Sequence, residues 1–355
     1  MKIKNIKPYL KHLPLTKPYT IAYNTFTDVE LVFLEIELEN GIVGIGSASP
    51  AEEVVGETSG QTIRNLNNEF VQNLVGRDIR HFQQIIFETH QFFPNLPGTQ
   101  AAIDIALHDA FGKYLGVSVA DFYGQKIKSL PTSVTIGIMS AAEALKEAEE
   151  YKKLGFKILK VKTGHNVEED IERLKLLYEK FGKSFNIRVD ANQGYSTPDL
   201  IRFVEQTAKL GLELIEQPLP VGQEDELRKL DENIRSLLCG DESMKNARYA
   251  LKYASDPQPF GIYNIKLMKC GGLKGAFEIA NIAQNAGIDL FWGCNDESIV
   301  SITAALHAAY CCPNTKYIDL DGSFDLAEDL VTGGFAVEDG FMKINPKPGF
   351  GFQKF

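Results

Sequence analysis

Short apolar segments recur from residue 133 onward in this 355-residue chain, and segments with helical periodicity separate them. Their spacing of about 25 to 30 residues is the length of one β-strand plus one α-helix. The pattern predicts an α/β fold of the parallel (β/α) barrel type, whose active site lies at the C-terminal strand ends. The eight predicted strands are residues 133–138, 156–161, 186–189, 212–215, 237–239, 262–267, 289–292 and 317–320.

The first 125 residues have a different pattern, with strand-like segments followed by helical ones. Strands are predicted at 2–10, 30–38 and 42–48, with an Asn40-Gly41 hairpin turn between the last two. Helices are expected near 62–74, 79–89 and 99–115, and polar loops at 18–28 and 49–59. We therefore predict an α+β capping domain at 1–125, a barrel at 126–329, and a tail at 330–355 that joins the capping domain.

The charge balance favours a small-molecule partner. There are 37 Lys and Arg against 47 Asp and Glu, a formal net charge of -10, which disfavours binding to nucleic acid or to an anionic membrane. The sequence shows neither an apolar run long enough to span a membrane nor a signal peptide, so a cytoplasmic location is expected. Its five cysteines and six histidines lack zinc-site spacing. A homo-oligomer is possible.

Charged side chains end several predicted barrel strands. Asp190, Glu216 and Asp241 follow neighbouring strands three, four and five and are expected to converge. Three buried carboxylates need a cation among them, and all-oxygen ligation favours one Mg²⁺ per subunit. The alternative for any single acid is a strand-end cap or a salt bridge.

Lysines occupy opposite sides of the predicted barrel. Lys160 and Lys162 share a face of strand two, and Lys266 ends strand six across the ring. A base on each face could take a proton α to a carboxylate and return it to the other face, while the metal stabilises the enediolate. This arrangement predicts racemisation or epimerisation. The alternatives are a Schiff-base lyase using Lys162 or Lys266 and a non-catalytic binding protein.

A pair of acids follows strand eight. Asp319 and Asp321 alternate onto one face and are able to hold a substrate ammonium group, or simply to end the strand with polar residues.

Taken in order, the motifs resemble the enolase superfamily, in its muconate-lactonizing-enzyme-like subgroup, and within it the dipeptide epimerases. The motifs are LTKPYTIAYNT (15–25), AAIDIALHDA (101–110), KVKTG (160–164), DANQG (190–194), IEQP (215–218), GDES (240–243), NIKLMKCGG (264–272) and DLD (319–321). The resemblance implies a barrel of the modified TIM type with an N-terminal capping domain, and an isomerase that inverts the C-terminal residue of a dipeptide.

The resemblance also implies site residues. Mg²⁺ would be held by Asp190, Glu216 and Asp241, and Lys162 and Lys266 would be the two acid/base groups. Substrate would be contacted by Lys160, Thr135, Cys294, Asp296, Asp319 and Asp321, the last two at its α-ammonium.

One position departs from the relatives that resemble Ala-Glu epimerases. Those relatives have an arginine in the capping loop, and Asn24 stands at the matching position here. We therefore expect Ala-containing dipeptides with an apolar or small second residue, although Asp296 would favour a polar or cationic one. The alternatives within the superfamily are o-succinylbenzoate synthase, N-acylamino acid racemase and L-Ala-D/L-Glu epimerase.

Overall fold

The chain begins with a three-stranded antiparallel sheet. The computed structural model describes residues 1–21 and 24–355, with the backbone alone at 17–21 and 24–26. The strands are β1 (Ile3–Ile21), β2 (Asn24–Leu38) and β3 (Val43–Ala48), in that order across the sheet. The prediction of a loop at 18–28 is wrong, because β1 and β2 stay paired as far as Ile21 and Asn24. The Thr, Tyr, Ile and Phe residues of this segment favour strand, and this preference outweighs its polarity.

Six helices follow the sheet: α1 (Glu52–Val55), α2 (Ser59–Leu66), α3 (Glu69–Gln72), α4 (Phe82–Phe92), α5 (Pro97–Leu115) and α6 (Val119–Tyr123). The helix predicted at 62–74 is divided into α2 and α3. The break occurs where Asn68 accepts a hydrogen bond from the Phe70 amide and so begins a new helix.

Helix α5 lies directly against β3 and is buried along most of its length. The contact requires glycine in the strand. A Cβ at Gly46 would lie 2.0 Å from the Ala102 carbonyl oxygen, and one at Gly44 would lie 2.3 Å from that of Ala106. Small residues on both surfaces thus bring sheet and helix close together.

The barrel follows in the predicted order of strands and helices. A short strand, β4 (Leu130–Pro131), comes before the barrel and pairs with Phe341 and Met342 of the C-terminal tail. The barrel elements are β5 (Ser133–Ile136), α7 (Ala141–Lys153), β6 (Ile158–Lys162), α8 (Val167–Phe181), β7 (Asn186–Asp190), α9 (Thr197–Thr207), β8 (Leu214–Glu216), α10 (Glu224–Leu227), α11 (Glu232–Arg235), β9 (Leu238–Gly240), α12 (Ala247–Tyr253), β10 (Ile262–Ile265), α13 (Leu267–Cys270), α14 (Leu273–Asn285), β11 (Asp289–Trp292), α15 (Ile299–Cys311) and β12 (Thr315–Ile318). Strands β5 to β12 form one parallel sheet in sequence order, and a Thr132–Ile318 bridge joins its two edges. The predicted (β/α) barrel with an N-terminal capping unit is confirmed.

The chain ends in four short strands, β13 (Val331–Gly333), β14 (Phe335–Glu338), β15 (Phe341–Ile344) and β16 (Phe352–Lys354). Contacts link this tail to the N-terminal elements. The Phe350 amide donates to Asp109 Oδ1 on α5 at 3.1 Å, and Lys354 Nζ lies 2.6 Å from Glu35 Oε1 on β2. No helix in the described part of the chain is long and apolar enough to cross a membrane.

The close contact of β3 with α5 gives a stability prediction. Gly46→Ala places a methyl group against backbone that cannot move freely, and should lower the free energy of unfolding by about 2 kcal/mol. Gly60→Ala is the matched control, because its Cβ would meet nothing closer than 3.6 Å. Chemical denaturation of both variants is the measurement. Equal stability of Gly46→Ala and wild type would contradict the packing argument.

Candidate active site

Three buried carboxylates lie at adjacent strand ends. Asp190 and Glu216 are the last residues of β7 and β8 and are in register, and Asp241 comes directly after β9. All three are at most 3% exposed. The barrel thus brings together the acids that the sequence analysis assigned to a metal.

Lys160 lies among these acids. Its Nζ is 3.1 Å from Asp190 Oδ2, 2.8 Å from Glu216 Oε2 and 2.9 Å from Asp319 Oδ2. Burial alone would lower the pKa of this lysine, but the carboxylates, with Asp319 first, raise it well above its usual value. The surrounding carboxylates thus favour the charged form of Lys160 inside the barrel.

The two lysines proposed as acid/base groups lie on opposite sides of the barrel. Lys162 ends β6, and its Nζ donates to Asp190 Oδ2 at 2.7 Å and to Asn192 Oδ1 at 3.0 Å. Lys266 follows β10, and its Nζ donates to Asp241 Oδ2 at 2.9 Å. Strands β6 and β10 are four positions apart in the ring of eight. For Lys266, burial lowers the pKa but Asp241 and Glu216 outweigh it, so the pKa is raised.

The sequence analysis missed Lys269, which is 5% exposed. Its Nζ donates to the Asp241 backbone oxygen at 2.7 Å and to that of Asn264 at 3.1 Å, and also pairs with Asp241 Oδ1. The residue lies one helical turn after Lys266, inside the NIKLMKCGG segment. The sequence signal that could have identified Lys269 is its position three residues after Lys266.

The three acids differ in how well their charge is compensated. Burial, together with the negative charge of Asp190, raises the pKa of Glu216 to about 7. Burial also acts on Asp190 and Asp241, but their lysine partners lower both pKa values below the usual range. Glu216 is thus the acid that gains most from a further nearby cation.

The donor set fits a hard divalent ion. Glu216 Oε2 is buried and accepts no hydrogen bond from the described residues, since its contact with Lys160 Nζ is an ion pair without hydrogen-bond direction. Within the described ranges, no three His, Cys, Asp or Glu side chains stand close enough to hold an ion without rearrangement. The Lys162 and Lys266 ammonium groups lie against Asp190 and Asp241. Asp190, Glu216 and Asp241 would supply the oxygen ligands that Mg²⁺ prefers.

The acids after β12 face different partners. Asp319 accepts from Ser133 Oγ at 2.6 Å through Oδ1 and from Lys160 Nζ at 2.9 Å through Oδ2. Asp321 Oδ2 accepts from both the backbone N and Oγ1 of Thr135, each at 3.1 Å. Burial, followed by the charges of Asp319 and Asp325, raises the pKa of Asp321 well above its usual value. A cation beside Asp321 would therefore be stabilised.

The segment after β11 connects the barrel to the capping elements. Cys294 Sγ donates to the Asp319 backbone oxygen at 3.3 Å. Ser49, just after β3, donates through Oγ to the Asp296 carbonyl at 2.8 Å and accepts at its own carbonyl from Asn295 Nδ2 at 3.0 Å. Asp296 therefore lies where the capping unit meets the barrel. The side chain of Asn24 lies outside the described residues.

Comparisons with known proteins agree with this arrangement. Residues 6–124 match the mandelate racemase / muconate lactonizing enzyme N-terminal domain, and residues 143–354 match the enolase C-terminal domain-like family. The chain is 49% identical to the L-Lys-D/L-Arg epimerase of Desulforapulum autotrophicum over 100% of both chains.

Two solved structures are similar over nearly their whole length. The dipeptide epimerase of Methylococcus capsulatus, complexed with Mg and L-Arg-D-Lys, is 46% identical with a TM-score of 0.97, covering 99% of each chain. That of Enterococcus faecalis, complexed with Mg and L-Leu-L-Tyr, is 32% identical with a TM-score of 0.91, covering 99% of this chain and 100% of the other.

The carboxylate donors and the Mg complexes of these relatives agree on Mg²⁺ as the cofactor. The two family models together span most of the chain, and relatives above 30% identity extend over essentially all of it. The chain therefore belongs to the mandelate racemase / muconate lactonizing enzyme family of the enolase superfamily, as an isomerase among its dipeptide epimerases.

Proposed function

We propose that the protein inverts the α-carbon of the C-terminal residue of a dipeptide by a two-base 1,1-proton transfer through an enediolate. The observation that supports this most directly is the placement of Lys162 and Lys266 across the barrel, with carboxylates of three intervening strands between them. A substrate α-carbon between the two ammonium groups presents one face to each.

Each lysine has a defined part in the reaction. The lysine on the side of the α-proton removes it when neutral, and the lysine across the barrel donates a proton to the opposite face. Asp190 and Asp241 orient the two Nζ atoms through the contacts described above. Mg²⁺ bound by Asp190, Glu216 and Asp241 would offset the negative charge that develops on the substrate carboxylate. Reversal of the two lysine roles accounts for inversion in either direction.

The acid pair after β12 suits a free α-ammonium group. Asp319 and Asp321 both come directly after β12, and burial raises the pKa of Asp321, so a nearby cation would stabilise its charged form. A free α-ammonium group is absent from N-acylamino acids and from the precursor of o-succinylbenzoate. We therefore favour dipeptides over the substrates of those alternative enzymes.

We further propose that the dipeptide has cationic side chains. The Desulforapulum relative at 49% identity is an L-Lys-D/L-Arg epimerase, and the Methylococcus structure contains L-Arg-D-Lys. The negative charges of Asp319 and Asp325 act on Asp321, and that of Asp296 helps to raise the pKa of Glu297. These acidic side chains would favour a cationic substrate. The expectation of Ala-containing dipeptides depends on Asn24 and gains no support from the described side chains. It remains the second candidate, and the L-Leu-L-Tyr complex of the Enterococcus relative supports apolar side chains in a relative but not alanine.

The substrate assignment is tested by deuterium uptake. A library of L,L-dipeptides is incubated with enzyme and Mg²⁺ in D₂O, and exchange at the C-terminal α-carbon is read by mass spectrometry. Lys- and Arg-containing members should exchange at least about 10-fold faster than Ala-Leu. One hydrogen bond to a charged group contributes about 1.5 kcal/mol or more, which corresponds to this ratio of rates. Asp296→Asn should reduce this preference.

Asp289→Asn is the matched control, because Asp289 is the first residue of β11 and Asp296 lies beyond the other end of that strand. Faster exchange of Ala-apolar members would restore the second candidate. Exchange in no dipeptide, with Mg²⁺ bound, would reject the epimerase assignment.

The two lysines have separate predicted effects. Lys162→Ala and Lys266→Ala should each lower epimerisation by about 100- to 10,000-fold, the usual contribution of a general acid/base group. Each variant should retain slow deuterium exchange with only one of the two epimers, because one base remains. Lys316→Ala, an exposed lysine at the other end of the barrel, is the control. Trapping of a substrate adduct by borohydride would instead indicate a Schiff-base lyase.

Metal binding should depend on pH through Glu216. Its raised pKa means that, without metal, the folded state holds this proton more tightly than the unfolded chain does. The resulting stability is present below about pH 4.5 and is lost as the pH rises towards about 7. Since Mg²⁺ competes with the proton, its apparent affinity should fall by up to about tenfold per pH unit below 7.

Thermal unfolding with and without Mg²⁺ at pH 6 and pH 8 measures this effect, and the rise in Tm should be larger at pH 8. Glu216→Gln, which removes the titrating group, should abolish the difference. An Mg²⁺-induced rise that is larger at pH 6 would be inconsistent with the assignment.

A further inference from the structure

Arg188 is a buried cation that the proposed reaction does not use. It lies on β7 two residues before Asp190, so both side chains point into the barrel. Its side chain is 2% exposed, and Nε donates to Glu213 Oε2 at 2.8 Å. The guanidinium also lies over the rings of Tyr317 and Phe291, at 5.0 and 5.5 Å from their centroids. A fully buried arginine with this many partners has a fixed orientation.

The other side of the guanidinium contacts the segment that contains Asp319. Nη1 donates to the Ile318 carbonyl at 2.6 Å and to Ser133 Oγ at 3.1 Å. Ile318 is the residue immediately before Asp319. Arg188 therefore holds the backbone of β12 at the point where the acid pair begins.

The Ser133 hydroxyl transmits this contact to the carboxylate. A hydroxyl has one proton to donate, and its two acceptors are Asp319 Oδ1 at 2.6 Å and the Ile318 carbonyl at 3.4 Å. Arg188 Nη1 donates to the hydroxyl oxygen, so the hydroxyl proton points away from Arg188. Of the two acceptors, the Asp319 carboxylate is both nearer and charged, so the hydroxyl proton is donated to Asp319. The second carboxylate oxygen is bound by Lys160.

We propose that Arg188, acting through Ser133, is a positioning residue that fixes the orientation of the Asp319 carboxylate for a substrate α-ammonium group. Arg188 Nη1 contacts Ser133 Oγ and the Ile318 carbonyl, so it acts on Asp319 through these two groups. The inference rests on the proposed function, since that function supplies the ammonium group. Burial raises the pKa of Asp319, but Lys160, Ser133 and, with a smaller effect, the positive charge of Arg188 lower it below its usual value.

The experiment compares Ser133→Ala and Arg188→Lys with wild type in the presence of Mg²⁺, with L-Lys-L-Lys as substrate. Each variant should raise KM about 10-fold and change kcat less than about twofold, because a hydrogen bond to the charged Asp319 is lost while the lysine bases are untouched. Ser133→Ala removes only a hydroxyl and decides the question if Arg188→Lys fails to fold.

A substrate analogue separates positioning from general structural damage. N-(6-aminohexanoyl)-L-lysine is L-Lys-L-Lys without its α-amino group, so its inhibition constant should stay within about twofold of the wild-type value in both variants. Glu213→Gln is the matched control: it weakens the Arg188 contact farthest from Asp319, and KM should not change.

Four results would overturn the proposal. Wild-type kinetics in Ser133→Ala would show that the hydroxyl does not position Asp319. A fall in kcat at constant KM, or equal losses for L-Lys-L-Lys and the analogue, would assign the residues to another role. If wild type exchanges no dipeptide, the proposed function fails and this inference fails with it, whereas an active wild type with unaffected variants leaves the proposed function intact.

Discussion

Charge compensation inside the barrel is the constraint on which the site depends. Asp190, Glu216, Asp241 and Asp319 are buried together, and each lies within ion-pair distance of a lysine. The lysines are Lys160, Lys162, Lys266 and Lys269, so four negative charges meet four positive ones. Removing one partner of a buried ion pair costs about 3–5 kcal/mol, so the loss of one member disturbs the others.

The same ion pairs bring the proposed acid/base lysines next to the proposed metal ligands. Lysine ammonium groups lie beside the carboxylates proposed to bind the metal, and Lys162 and Lys266 are also the groups proposed to move the substrate proton. The proposed metal ligands and the proposed acid/base groups are thus direct neighbours, so the charge of one acts on the pKa of the other. Glu216, whose charge is least compensated, is the acid whose charged form a further cation would stabilise most.

The capping unit and the barrel contribute in different ways. The barrel places charged groups at fixed heights through strand register, as with Asp190 and Glu216. The capping unit reaches the site through loops, and Ser49 contacts the Asp296 carbonyl where the two meet. The groups proposed to carry out the chemistry thus lie at or directly after strand ends, while the residues proposed to contact substrate side chains lie on connecting segments. This division allows related enzymes to share a reaction and differ in substrate.

Several features were determined by the sequence alone. The spacing of eight apolar segments gave the barrel, since local periodicity decides strand and helix, and the motifs gave the family. The loop predicted at 18–28 failed because strand propensity and pairing outweighed polarity. Lys269 and Arg188 were missed because a buried lysine or arginine looks like any exposed one until the fold surrounds it.

Only the tertiary structure decided which charges pair. The sequence placed the acids and lysines at strand ends, but it contained no information on which ammonium lies against which carboxylate. Lys160 bridges Asp190, Glu216 and Asp319, residues that are 30, 56 and 159 positions away in the chain. Those contacts, and the pKa shifts that follow from them, exist only when the barrel closes and removes water from around the charges.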